Sequence, residues 1–258
     1  MPQEPYLSIQ GVSKRFDSGS AAVPAVEAIT FDVPRGAFVS ILGPSGCGKS
    51  TLFNIIAGLL NPDEGDVLLA GRSVVGRAGQ VGYMLQKDLL LPWRSIEDNI
   101  TLAQRLQGVG RRNARLAAAP LISGCGLRGF EHKRPHQLSG GMRQRAALLR
   151  TLLTGKELLL LDEPFGALDA ITRLQLQMLL LDVWQSTGRT ILFVTHDVEE
   201  ALLLSDEIIV LSPRPGRVQS RLTVPLPRPR SARTLALPEM HALKAQLMSR
   251  LLEEVSGA

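Results

Sequence analysis

The chain of 258 residues is 45% hydrophobic and 21% charged, which excludes a disordered segment, a collagen-like fibre and a disulfide scaffold and fits one large folded domain or two small ones. Its 29 basic and 24 acidic residues leave a net charge of +5 and a pI near 9.6, a balance that would suit nucleic acid or an anionic surface. The basic residues are mostly arginines scattered without a long block, so no nucleic-acid partner is expected.

Residues 1–35 are short alternating pieces broken by Gly, Pro and Ser, the pattern of an antiparallel β edge, and residues 65–72 repeat it. Residues 37–42 (AFVSIL) are the first of five runs rich in Val, Ile, Leu and Phe that predict fully buried strands; the others are 80–85, 157–161, 190–194 and 207–211. Helix-period stretches lie among them at 49–60, 141–153 and 170–186. Strand alternating with helix predicts an α/β fold with a mainly parallel core sheet. Between Gln86 and Ser139 the strand signal vanishes. Residues 96–107 and 111–123 predict helices there, the second kinked or ended at Pro120, which removes a donor and crowds the preceding turn. This stretch reads as a helical insertion in the α/β domain. Residues 213–230, rich in proline and arginine, predict an extended connector with room for one short hairpin. Residues 238–255 place Leu243, Leu247 and Leu251 four apart, an amphipathic helix with Pro238 in its first turn and core packing as its job.

No apolar run reaches the roughly 18 residues of a membrane span. The opening MPQEPYLSIQ lacks the charged-then-apolar pattern of a leader peptide. Cys47 and Cys125 are too few for a disulfide framework or a metal cage, which favours a reducing, cytosolic compartment.

The chemistry gathers where predicted strands end. The first core strand runs into Gly43-Pro44-Ser45-Gly46-Cys47-Gly48-Lys49-Ser50, which fits G-x-x-x-x-G-K-[ST] and is followed by Thr51. Glycines there let backbone N–H groups turn inward around a polyphosphate, Lys49 supplies a point charge, and the Ser50 hydroxyl can ligate magnesium. The helix that starts at Lys49 adds its partial positive end. The ELLLL strand ends in Asp162-Glu163, two carboxylates that are poor core residues because burying unpaired charge costs several kcal/mol. Ligands of open parallel sheets bind beyond the carboxyl ends of the strands. Asp162 can therefore hold magnesium, directly or through water, and Glu163 can orient or deprotonate an attacking water. His196 and Gln86 each follow another buried strand, and together the set describes one magnesium–nucleotide site. Leu138-Ser139-Gly140-Gly141 opens a further helix, with Ser139 a candidate N-cap and glycines that allow close approach of an anion.

Together these residues resemble the nucleotide-binding subunit of an ABC transporter over about residues 6–225. GPSGCGKST resembles the Walker A loop, LSGGMRQR the ABC signature, LLLLDEP the Walker B strand with its catalytic glutamate, FGALD the D-loop ending at Asp169, Gln86 the Q-loop residue and VTHD the switch histidine, in the family's order. Phe16, in VSKRF, stands where the family has an aromatic that stacks on adenine, and Met142 stands where glutamine is frequent. The resemblance implies a P-loop ABC ATPase fold with an antiparallel β edge and a helical subdomain at about 87–155. It implies a nucleotide-binding domain over residues 1–230 and a C-terminal helical extension over 231–258. It implies ATP and Mg2+ as ligands, with Ser50, Gln86 and Asp162 around the metal, and residues 43–51 with Phe16 around ATP. Two copies then pack head to tail, so that Ser139, Gly140 and Gly141 of one contact the ATP held by the other. ATP closes such a homodimer and hydrolysis opens it.

The stretches QKDLLLPWRSIEDNI, PFGALDAITR and SDEIIVLSPRPGRV are similar to bacterial importers of nitrate, taurine, alkanesulfonates and thiamine precursors. That likeness implies a separate membrane permease, touched by the segment from Leu89 to Arg94 with Trp93 as an aromatic anchor or, alternatively, as local packing. It also implies an indirect solute-binding partner and a peripheral place on the cytoplasmic face of the inner membrane. A soluble ABC protein of ribosomes or DNA, a P-loop kinase or GTPase, and an exporter are the rival readings. No N-K-x-D motif favours the GTPase, and no paired cassette or long coiled coil favours the soluble classes.

Overall fold

A computed structural model describes residues 5–17 and 22–256. Strands β1 (Leu7–Asp17), β2 (Ala22–Val33), β3 (Phe38–Leu42), β4 (Glu64–Leu69), β5 (Arg72–Ser73), β6 (Gly82–Met84), β7 (Leu158–Asp162), β8 (Thr190–Val194), β9 (Glu207–Leu211) and β10 (Val218–Thr223) form two sheets. The helices are α1 (Lys49–Ile56), α2 (Ile96–Ile100), α3 (Leu102–Leu106), α4 (Arg111–Gly124), α5 (Gly140–Leu152), α6 (Ala170–Thr187), α7 (Val198–Leu204) and α8 (Pro238–Ser256). The larger sheet has the order β10-β9-β3-β8-β7-β6; its four pairings from β9 to β6 are parallel, and β10 closes the edge antiparallel to β9. The smaller sheet, β2-β1-β4-β5, is antiparallel throughout. This is the α/β architecture expected, with a mainly parallel core and an antiparallel β edge that forms a sheet of its own.

The continuous apolar runs have a simple cause: both faces of the core sheet are covered. In β7, Leu158 and Leu160 face a core shared with α1 and the antiparallel sheet, while Leu159 and Leu161 face a second core built from α2, α4, α5 and α6. Side chains alternate across a strand, so a strand buried on both faces is apolar at nearly every position. A third cluster joins α7, β9 and β10 to α8 through Met240 and Leu247.

Four expectations need correction. The predicted helix at 96–107 is two five-residue helices that meet at Thr101. There the Thr101 hydroxyl donates to the Glu97 carbonyl at 2.8 Å, a back-bond that bends helices. Pro120 does not end α4, which runs on to Gly124. Pro120 and Leu116 both lie on the exposed side, so the carbonyl that loses its N–H partner there faces water. The strand expected at 80–85 narrows to Gly82–Met84. Residues 213–230 hold no hairpin of their own; they supply one strand, β10, which pairs with the preceding core strand β9.

Candidate active site

The phosphate-loop residues are set by a turn that glycine alone fits. After β3 the chain passes through Gly43–Gly48 into α1, with φ of +79° at Gly46 and +103° at Gly48. A Cβ on Gly48 would lie 2.6 Å from both the Ala25 carbonyl oxygen and Val26 Cγ1, so β2 presses directly on the loop. Lys49 is buried and its Nζ donates to the Gly43 and Pro44 carbonyls, 2.8 Å each. Cys47 turns its side chain into the core. It therefore offers a ligand only its backbone.

Ser50, Asp162 and Glu163, from which metal and water chemistry is expected, meet at the carboxyl ends of the parallel strands β3 and β7. Ser50, in the first turn of α1, donates from Oγ to Asp162 Oδ2 at 2.8 Å. Asp162 is only 3% exposed at the end of β7. Burial pushes its carboxyl above the usual range; the Ser50 hydroxyl opposes the rise, the Glu163 charge adds to it, and Lys49 opposes it. Glu163 follows at φ +48°, a left-handed backbone that few non-glycine residues adopt. Its N–H donates to the Val194 carbonyl at 2.9 Å, and its carbonyl accepts from Gly166 N–H at 3.3 Å. The carboxylate so aimed accepts from Gln86 Nε2 at 3.3 Å and lies 3.4 Å from His196 Nδ1. The ends of three parallel strands, β6, β7 and β8, thus bring Gln86, Glu163 and His196 together.

These residues fit a magnesium ion. A hydroxyl and a buried carboxylate are hard oxygen donors, and a carboxyl pushed toward its neutral form is one that a dication relieves. Among the described residues no group of three or more His, Cys, Asp or Glu could cage a metal. Magnesium held by few protein oxygens would complete its shell with phosphate oxygens and water.

A cleft of about 420 Å³ collects Phe16, Ser45, Gly46, Gly48, Lys49, Ser50, Thr51, Gln86, Asp162 and Glu163. Gly43 and Pro44 line instead a neighbouring cavity of about 390 Å³, together with His196 and with Met248 and Leu251 of α8. Ser139, Gly140, Gly141 and Asp169 line neither. Ser139 caps α5 by accepting from Met142 N–H at 3.3 Å. Asp169 caps α6 by accepting from Thr172 N–H at 3.0 Å, and hydrogen bonds at that cap hold its carboxyl below the usual range. Both caps are exposed, so the structure leaves these two motifs on the surface of a single chain.

Sequence reasoning missed Ala25 and Arg214, which also line the cleft. Arg214 donates from Nε to the Pro24 carbonyl at 3.0 Å, which brings it against the β2 side of the cleft. Its segment carried only the signal of a proline-rich connector. Gln144 was also missed; its Nε2 lies 3.4 Å from the Glu163 carbonyl, a second support for that strained residue.

The sequence profile of the ABC transporter family matches residues 26–166, more than half of the chain. An uncharacterized ABC transporter ATP-binding protein of Methanocaldococcus jannaschii is 42% identical over 96% of this chain and 92% of its own length. The taurine import ATP-binding protein TauB of Rhizobium johnstonii is 48% identical over 77% of this chain and 76% of its own, and TauB of Escherichia coli is 42% identical over 90% and 92%. Among solved structures, the dimeric post-hydrolysis state of the ATP-binding cassette MJ0796 bound to ADP and Pi superposes with a TM-score of 0.78 at 28% identity, covering 84% of this chain and 98% of that one. With a phosphate loop, a hydroxyl–carboxylate pair and an aimed glutamate in one cleft, and with these relatives, the chain belongs to the ABC transporter family as an ATP-hydrolysing transporter subunit.

Proposed function

We propose that the chain energises import of a small solute, of the taurine, alkanesulfonate, nitrate or thiamine-precursor kind, through a separate membrane permease. The observation that carries the hydrolytic part is the meeting of Glu163 with Gln86 and His196 at the edge of the cleft that holds Ser50 and Asp162. Phe16 stacks on the adenine, residues 43–51 hold the phosphates through backbone N–H groups and Lys49, and Ser50, Asp162 and Gln86 hold magnesium. That ion, when bound, neutralises charge on the phosphate oxygens. Glu163 orients the attacking water and accepts its proton, and His196 steadies the γ-phosphate end.

Ser139, Gly140 and Gly141 face outward and act on the ATP of a second copy, and Asp169 lies at the same dimer face. This reading is supported by the exposure of Ser139, Gly140 and Asp169, by the absence of all four residues from the chain's own cleft and by the dimeric neighbour, which is bound to ADP and Pi. ATP closes the homodimer and hydrolysis opens it. The import reading is supported by the TauB relatives. No helix among the described residues is long and apolar enough to cross a membrane, and the passage for solute is assigned here to a separate permease. The segment from Leu89 to Arg94 is the proposed permease contact: Leu89 is exposed at φ +42° and Trp93 is 68% exposed, so Trp93 is free to serve as an anchor rather than as local packing. A solute-binding protein joins indirectly, no nucleic acid is involved, and the subunit sits on the cytoplasmic face of the inner membrane. Residues 1–230 then form the nucleotide-binding domain, with a helical subdomain at about 87–155, and 231–258 a C-terminal helical extension.

The test is gentle solubilisation of native membranes that hold the tagged protein, followed by identification of its partners. A stoichiometric multi-spanning protein is expected. A clean soluble homodimer, or ribosomal or DNA-bound material, would keep the ATPase chemistry and end the import reading.

A further inference from the structure

One arginine ties the loop that leads into α6 to the loop that carries His196. Arg173, in the first turn of α6, donates from Nη2 to the Leu168 carbonyl at 3.1 Å, one residue before Asp169. On its other side lie Asp197 Oδ2 at 3.7 Å and Glu200 Oε1 at 3.8 Å. Both are ion-pair separations too long for hydrogen bonds. Arg173 Nε is buried and makes no hydrogen bond, an unusual state for a charged group. A cavity of about 250 Å³ beside it, lined by Arg173, Gln177, Asp197, Glu200 and Leu235, leaves the guanidinium room to shift.

Glu200 carries the link onward. Its Oε1 accepts from Gln177 Nε2 on α6 at 3.2 Å, and its Oε2 accepts from the Thr195 hydroxyl at 2.7 Å. The Thr195 hydroxyl oxygen in turn accepts from Asp197 N–H at 3.0 Å. Thr195 and Asp197 flank His196, so one hydroxyl fixes the backbone on both sides of the histidine that faces Glu163. Burial holds the Glu200 carboxyl above the usual range, with the Thr195 hydrogen bond opposing it.

We propose that Arg173 is a positioning residue with two arrangements, which couples the loop at residues 165–169 to His196 through Glu200 and Thr195. In the arrangement described, Nε stands off from Glu200. A small movement at Leu168 and Asp169 closes that gap to a hydrogen bond and resets the backbone around His196. The inference rests on the hydrolytic and dimer roles assigned above to His196 and Asp169. It adds the route by which a second copy seated on Asp169 is felt at the reacting phosphate.

The test uses Arg173→Ala, Thr195→Val and the hydroxyl-keeping Thr195→Ser in the full chain. Arg173→Ala and Thr195→Val are expected to lower kcat about tenfold, the size of coupling that a discrete network carries, with KM for ATP within about twofold, since uniform binding is untouched. Thr195→Ser retains near-parental kcat. The imidazole resonance of His196, assigned by its loss in His196→Ala, is expected to move in Arg173→Ala and Thr195→Val but not in Thr195→Ser. Unmoved resonances would overturn the coupling even if activity fell, and unchanged kcat with moved resonances would overturn its catalytic relevance. Full turnover by His196→Ala would instead overturn the role of the histidine, and the resonance still reports whether the coupling exists.

Discussion

Ser50 and Asp162 meet at 2.8 Å, hydroxyl to carboxylate, although 112 residues of chain separate them. The contact joins the N-terminus of α1 to the C-terminal end of β7, which is why one cleft holds the phosphate loop and the carboxylates. It also gives Asp162 one hydroxyl which, with the charge of Lys49, only partly offsets its burial.

Asp162→Asn is therefore expected to stabilise the nucleotide-free protein. A carboxyl raised by burial favours folding below its unfolded value and loses that contribution as pH rises through its folded value. At neutral pH its ionised form is a net cost, which the amide removes while still accepting from Ser50. Tm should rise by about 2–4 °C for each kcal/mol relieved, the gain should vanish toward acid pH, and magnesium-dependent ATP binding should weaken. Thermal melts across pH, with and without Mg·ATP, check this. A lower Tm at neutral pH would contradict it.

Gly48→Ala should cost about 2 kcal/mol or more, because the new methyl meets β2 backbone and the +103° φ is strained. Gly46→Ala meets no atom within 4 Å and carries only the backbone strain at +79°. Denaturant midpoints should rank Gly48→Ala well below Gly46→Ala, and equal midpoints would mean that β2 does not press on the loop.

The C-terminal helix gives a contrast between packing and charge. Leu247 is 1% exposed against α7, and Leu247→Ala should cost about 2–5 kcal/mol. Lys244 pairs with Glu199 at 2.7 Å across half-exposed side chains. Lys244→Ala should cost under about 1 kcal/mol, and less in high salt. Chemical denaturation of the two variants decides between a packed helix and one held by charge.

Trp93→Ala should leave Tm unchanged, since the ring is 68% exposed, and lower permease binding by about 10-fold or more, as loss of an aromatic anchor does. Co-purification and solute uptake measure it. Full binding by a folded variant would remove Trp93 from the interface.

The sequence made the strands and the strand-end chemistry legible for a physical reason. Double-sided burial demands unbroken apolar runs such as LLLL in β7, and phosphate, metal and water chemistry demand glycine, lysine, hydroxyl and carboxylate side chains at fixed spacing. What stayed hidden depends on contacts between distant segments. Thr101 breaks a periodic helix through a hydrogen bond that periodicity does not register. Pro120 is tolerated because of which way α4 faces. Arg214 reaches the cleft only because residues 212–217 fold back on β2, and the Arg173–Glu200 relationship needs α6 and α7 side by side.

The central claim is that Glu163 is aimed by its strained backbone, Gln86 and His196 to activate water for hydrolysis. The most direct measurement is ATP turnover and sedimentation of Glu163→Gln with Mg·ATP. The account predicts ATP binding near the parental level, turnover reduced by about 100-fold or more as for loss of a general base, and a dimer that accumulates with ATP. Full turnover, or a variant that stays monomeric while saturated with ATP, would contradict it.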